Sequence, residues 1–175
     1  MKTDKFKKLK LLEPKKINSL ERENFEDYYI RNKNLLPNFP KEVFKEWIYR
    51  HYGYLELYAC LDFDKFDFTL EEWKNEKIFN EITTIKNKML DMQGIQILRK
   101  PISYLQKYIH RCKTWPSPII VLKIENEYYD YENNLLTGPY YLLEGHLRLG
   151  YFRKLYKLYS DKLLVSHQIY VIRIK

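Results

Sequence analysis

The sequence predicts an α+β protein, with a small sheet and flanking helices in its C-terminal half behind a helical N-terminal extension. Three observations lead there. Ile119-Ile-Val-Leu-Lys-Ile124, placed directly after Pro118, is the β-branched run of a strand. Tyr140-Tyr-Leu-Leu143 reads as a returning strand that stops at Glu144-Gly145, where Leu149, Phe152, Tyr156 and Tyr159 take up helical spacing. Upstream, Val43, Phe44, Trp47, Ile48 and His51 repeat at intervals of three and four, one face of an amphipathic helix.

Taken in order, residues 1–38 form a basic extension, in which Ser19–Arg31 can make a short helix with acids in its first turn. Residues 39–84 form a helical segment. Its first helix starts near Pro40, whose fixed φ suits a first turn, and ends at Gly53. Tyr54–Leu61 is a strand or a second short helix, and Asp62–Asp67 is a turn. Thr69-Leu-Glu-Glu72 has the form of a capping box opening a helix that turns Trp73, Ile78, Phe79 and Ile82 inward. Residues 85–175 form the last domain. Ile95–Leu98 is expected as a short strand, and Pro101 opens a helix with Ile102, Leu105, Ile109 and Cys112 as its buried stripe. His110 and Arg111 suit the negative end of that helix dipole. Residues 125–138 carry turn signals for a long hairpin connection, and Gln168–Ile174 closes the sheet.

Apolar residues make up 45% of the 175, enough for a core, and 17 tyrosines suit half-buried surfaces with a wet edge. No run approaches the ~18 uninterrupted apolar residues of a membrane helix. The basic N-terminus lacks the apolar core of a secretory signal, so a cytoplasmic address without membrane association is expected. Cys60 and Cys112 are too few for a disulfide framework or a four-ligand zinc site, and are expected as buried thiols; no metal ligand set is singled out. The formal charge of +8 favours anionic partners. Seven lysines against two acids sit in the first sixteen residues, and outside that tail the chain is only mildly basic.

The turn Glu144-Gly145-His146-Leu147-Arg148 carries the candidate chemistry. Gly145 can adopt positive φ and let backbone approach a ligand. The first helical amides lack internal partners, and the helix dipole adds partial positive charge there. Gly145, Leu147 and Arg148 are therefore the candidate phosphate-binding residues, with Arg148 offering a planar two-point fork. Glu144 and His146 are the candidate catalytic residues: Glu144 as a proton or hydroxyl acceptor or an oxygen ligand for Mg2+, His146 as an acid, base or phosphate donor.

Ser117-Pro-Ile-Ile-Val-Leu, followed by Gly138-Pro-Tyr-Tyr-Leu-Leu-Glu-Gly-His-Leu-Arg-Leu149, resembles the signature of the ParB/sulfiredoxin-like superfamily over roughly residues 85–175. The resemblance implies a small mixed sheet with flanking helices and a nucleotide-phosphate pocket at the turn. Members use that pocket for CTP binding and hydrolysis, for ATP-dependent rescue of an oxidised cysteine, or for phosphoryl transfer to free serine. ATP or CTP with Mg2+ is the implied cofactor. Gly145 and Arg148 match the shared positions. His146 stands where ParB has Glu and sulfiredoxin its catalytic Cys, and Leu147 replaces a basic residue. The missing Cys argues against sulfiredoxin chemistry, and the lost acid and base against ParB-type CTP hydrolysis. About sixteen residues follow the last helix, too few for a ParB helix-turn-helix.

The favoured function is a nucleotide- or phosphate-binding protein acting as an NTP-dependent phosphotransferase or NTPase, with Lys113 and Lys123 as further sources of charge. One alternative is a nucleic-acid-associated protein, with phosphate contacts from the basic tail and tyrosines stacked on bases. The other is a non-catalytic interaction module, using the aromatic helices around Trp47 and Trp73 for a protein partner or a homo-oligomer.

Overall fold

The computed structural model describes residues 10–84, 87–130 and 132–175. The first nine residues of the basic extension, with half of its lysines, lie outside them. The chain is α+β and divides into two compact units: one takes in the chain up to Phe68 with Glu127–Leu135 and Arg173–Lys175, the other Thr69–Asn126 with Leu136–Ile172.

In the first unit, helix α1 (Phe25–Asn32) begins six residues later than Ser19. Asn24 is its cap, with its side-chain oxygen accepting from the Asp27 amide at 3.1 Å. Ser19 instead closes a turn on the Glu21 amide. Arg31 grips Glu23 through Nε and Nη2 at 2.8 and 2.6 Å, a fork that holds this carboxyl below its ordinary pKa. Helix α2 (Lys41–Val43), with Pro40 as its cap, widens into a π-helical stretch over Phe44–Tyr49. Val43, Phe44, Trp47 and Ile48 are buried, as their spacing predicts. Gly53 does not end this helix; it lies inside a 3-10 stretch, Tyr52–Tyr58. Trp47 packs at 5.5 Å from Phe63 and stacks on Phe66, and Phe39 joins both phenylalanines at 5.9 Å. Large aromatic rings supply most of the apolar area this unit can bury.

The sheet has five strands: β1 (Phe66–Lys74), β2 (Ile82–Thr83), β3 (Ile119–Lys123), β4 (Tyr140–Glu144) and β5 (Ser166–Ile174), in the order β1-β5-β3-β4-β2. It is mixed: β3 runs antiparallel to β4 and parallel to β5, and β2 runs parallel to β4. The strands expected at 119–124, 140–143 and 168–174 are present. Helices of the second unit are α3 (Asn75–Glu81), α4 (Asn87–Gly94), α5 (Tyr104–Cys112) and α6 (His146–Leu158).

Three local expectations fail, the first two to longer-range interactions. Thr69–Glu72 opens no helix but lies in β1 beside β5, and the helix starts at Asn75. A capping box is worth about 1 kcal/mol, and the strand ladder plus burial of Trp73 against Tyr140, at 4.5 Å, outweighs it. Ile95–Leu98 is no strand but a 3-10 extension of α4, because the Gln96 and Ile97 carbonyls are taken by Gln106 Nε2 at 3.0 Å and His110 Nε2 at 2.8 Å. That last bond gives His110 a partner beyond the helix dipole. Third, a Ser103–Gln106 capping box starts α5 after Pro101, leaving Ile102 outside the stripe and exposed. Ile109 is buried, Leu105 and Cys112 only partly so. Cys60 is also half-buried, and neither cysteine is in a disulfide. Tyr159 is exposed at the end of α6.

The second core gathers Trp73, Ile78, Leu90, Ile97, Trp115, Ile119, Val121, Leu142, Leu149 and Phe152, between the sheet and α4 to α6. Trp47 and Trp73 are therefore core residues of their own units rather than an exposed partner surface. Helices α4 and α6 meet at glycines. A Cβ on Gly94 would lie 2.5 Å from the Gly150 carbonyl oxygen, and one on Gly150 2.8 Å from that of Leu90. Backbone cannot yield as a side chain tip can. We expect Gly150→Ala to destabilise the chain by about 1–3 kcal/mol, seen as a lower denaturant midpoint with unchanged slope; an unchanged midpoint contradicts this crossing.

Candidate functional site

Ser117 and Ile119 come from the first half of the motif, and Glu144 to Arg148 from the second. The β3/β4 pairing brings them together: Ile120 lies opposite Glu144 and Val121 opposite Leu142, so the register shifts at the end of β4. Such a bulge bends a strand and re-aims the residues after it. Gly145 then turns with φ +103° and ψ 25°, and α6 begins. Glycine is required here twice over. The φ is left-handed, and a Cβ would stand 2.5 Å from Ile119 Cγ2.

Arg148, in the first turn of α6, is only 6% exposed. Its Nη1 donates to the Ser117 carbonyl at 3.0 Å and to the Ser117 hydroxyl, and its Nη2 donates to Glu144 Oε1 at 2.8 Å. The guanidinium thus braces strand, turn and helix instead of standing open as a fork. Leu147 is exposed and His146 half-buried beside it. The Leu147 amide has no acceptor among the described residues, as expected for a first-turn N–H. All five turn residues are therefore gathered in one place, with Glu144 and Arg148 paired. Lys113 and Lys123 are engaged elsewhere: Lys113 donates to the Asp161 carbonyl at 3.1 Å, and Lys123 pairs with Glu125 at 2.6 Å.

The arrangement fits a phosphate better at the helix amides than at the Arg148 fork, whose two Nη groups already have acceptors. Among the described residues no group of three or more His, Cys, Asp or Glu is placed to hold a metal ion. A Mg2+ brought by a nucleotide would rest mainly on phosphate oxygens and water, as this ion commonly does. Among the described residues no helix is long and apolar enough to cross a membrane.

Sequence reasoning missed Ser117 as the anchor of Arg148. The signal was available, since Ser117 opens the strand half of the same motif. It also missed His167, which is 3% exposed on β5. Its Nδ1 shares a 2.7 Å hydrogen bond with Thr114 Oγ1, Nε2 has no partner, and Trp115 and Phe152 flank the ring. A lone His in an alternating strand carries no sequence mark that separates core from surface.

Comparison with protein-family models, curated proteins and solved structures found no match.

Burial pulls the His167 pKa down to about 4, against an ordinary value near 6.5 in the unfolded chain. Between those values the unfolded state binds the extra proton, so stability is full above about pH 6.5 and falls as pH drops toward 4, by on the order of 3 kcal/mol. His167→Gln should flatten this part of the stability–pH profile. An equal slope in both proteins would contradict the assignment.

Proposed function

We propose that this chain is a nucleotide- or phosphate-binding protein of the ParB/sulfiredoxin-like kind, with the anion seated on the first-turn amides of α6. The observation that carries the reading is the strand–Gly145–helix turn. Positive φ at Gly145 and the absence of a Cβ against Ile119 aim the N-terminus of a thirteen-residue helix outward from the end of β4. Exposed first-turn donors and the dipole make such an end attractive to phosphate. Arg148 holds the shape of the turn and keeps positive charge behind it, while Glu144 offsets part of that charge. His146, at the first helical position, is the residue for handling a proton. When bound, a nucleotide supplies the transferable phosphoryl group; the chain's part is positioning and charge neutralisation. An NTP-dependent phosphotransferase or NTPase is the reaction class this supports, in a cytoplasmic setting.

A second reading is favoured by one observation, the engagement of both Arg148 Nη groups by Ser117 and Glu144. On that reading the turn is purely structural and the chain is a non-catalytic interaction module.

Calorimetric titration with ATP and CTP, with and without Mg2+, separates the two. The first reading expects binding by wild type and roughly tenfold or greater weakening in Arg148→Lys, which keeps the charge but loses the planar brace. His146→Ala should retain binding and lose turnover. A folded wild type that binds neither nucleotide sinks the nucleotide reading.

A further inference from the structure

Helix α4 and its 3-10 extension present apolar residues on two opposite sides. Leu90, Gly94 and Ile97 face inward; Leu90 and Ile97 are fully buried, and Gly94 meets α6. At about 100° per residue, Met89, Met92 and Ile95 fall in an arc of roughly 120° centred opposite Leu90. Leu98 eclipses Ile95 in the 3-10 turn, where the repeat is about three residues. All four are exposed, Met92 to 74%. Ile102, at 81%, and Tyr104, at 70%, extend the apolar row into the start of α5. The two pieces are fastened together by Gln106 to the Gln96 carbonyl and His110 to the Ile97 carbonyl. Soluble helices are ordinarily polar on the side away from their core, so this row is unusual.

The surroundings of the row are cationic. Residues 87–113 contain six Lys or Arg against one acid, the same net excess as the first sixteen residues carry. Lys88, Arg99, Lys100, Lys107 and Arg111 are exposed. Lys88, Arg99, Lys100 and Lys107 have no ion-pair partner among the described residues. On α5, Tyr104, Lys107, Tyr108 and Arg111 share one face, with the two tyrosine rings 6.0 Å apart and the Arg111 guanidinium 5.8 Å from the Tyr108 ring.

We infer that this face docks on an anionic lipid surface, with Met92, Leu98 and Ile102 entering the acyl boundary. Lys88, Arg99, Lys100 and Lys107 would meet headgroup phosphates, and Tyr104 would sit between the two layers. The combination of a large-aliphatic ridge, cationic flanks and an interfacial tyrosine is what such a surface selects. Nucleic acid would match the cations and tyrosines but would leave five exposed aliphatic side chains uncovered. An amphipathic peptide helix needs a groove, whereas this row is the outward ridge of a helix. A second copy would bring like charge against like charge. Peripheral docking of this kind needs no membrane-spanning segment.

The test is co-sedimentation of the full chain with vesicles of phosphatidylcholine alone and of phosphatidylcholine with phosphatidylserine in equal parts. Wild type should sediment with the anionic vesicles and not with the neutral ones. The pair Met92→Ser/Ile102→Ser leaves every charge in place, including the N-terminal lysines, and alters only exposed positions, so its circular dichroism should match wild type. Its partitioning should fall by roughly tenfold or more from the lost apolar burial. Lys88→Gln/Lys100→Gln should weaken binding and reduce its salt dependence. Wild type that stays in the supernatant overturns the inference. So does a serine pair that binds as well as wild type, which would assign adhesion to charge alone. Tight binding of a single-stranded oligonucleotide through the same lysines, without vesicle binding, would transfer the face to nucleic acid and overturn it as well.

Discussion

The second unit depends on one buried guanidinium. Arg148 reaches back from the first turn of α6 to Ser117, just ahead of β3, and sideways to Glu144 at the end of β4. Three segments that are distant or kinked in the chain are fixed relative to one another by one side chain. The energetics are those of a buried ion pair. Its formation contributes little net stability against desolvation, but removing one partner leaves the other charge buried and costs about 3–5 kcal/mol. Arg148 therefore acts more through specificity than through strength: it ties the start of α6 to Ser117 and to the end of β4, where the register shifts.

Gly145 is the complementary constraint. Arg148 pulls the helix start toward Ser117, and only a residue without Cβ lets Ile119 come as close as it does. The same logic recurs where α4 crosses α6 at Gly94 and Gly150. In both places the function of glycine is to permit a backbone approach that other interactions then enforce. The crossing in turn decides which side of α4 faces out, and so exposes the Met89–Leu98 ridge.

Much of this is legible in the sequence where the signal is local and strong. The β-branched run at 119–124, the strand stop at Glu144-Gly145 and the apolar spacing of α6 correspond directly to β3, the turn and the helix. The helix after Pro40 is equally plain. Illegible are segments whose conformation is set by distant partners. Thr69–Glu72 carries a helix-start pattern that strand pairing overrides. Ile95–Leu98 carries a strand pattern overridden by side chains on α5 that bond its carbonyls. The candidate site divides the same way: the composition of the turn can be read, but the burial of Arg148 against Ser117 cannot. A one-dimensional motif gives residue types and does not say which donors already have acceptors. The charge excess reads as a tail property when taken as a total; by segment, residues 87–113 hold a second concentration.

The most direct measurement of the central claim is a double-mutant cycle on unfolding free energy with Glu144→Gln and Arg148→Met. If the pair braces the turn, the two substitutions are coupled by about 1–3 kcal/mol, the double variant being less destabilised than the sum of the singles. Additivity to within about 0.5 kcal/mol would show that Arg148 and Glu144 act independently, and would contradict the account of the turn as a structure held by that guanidinium.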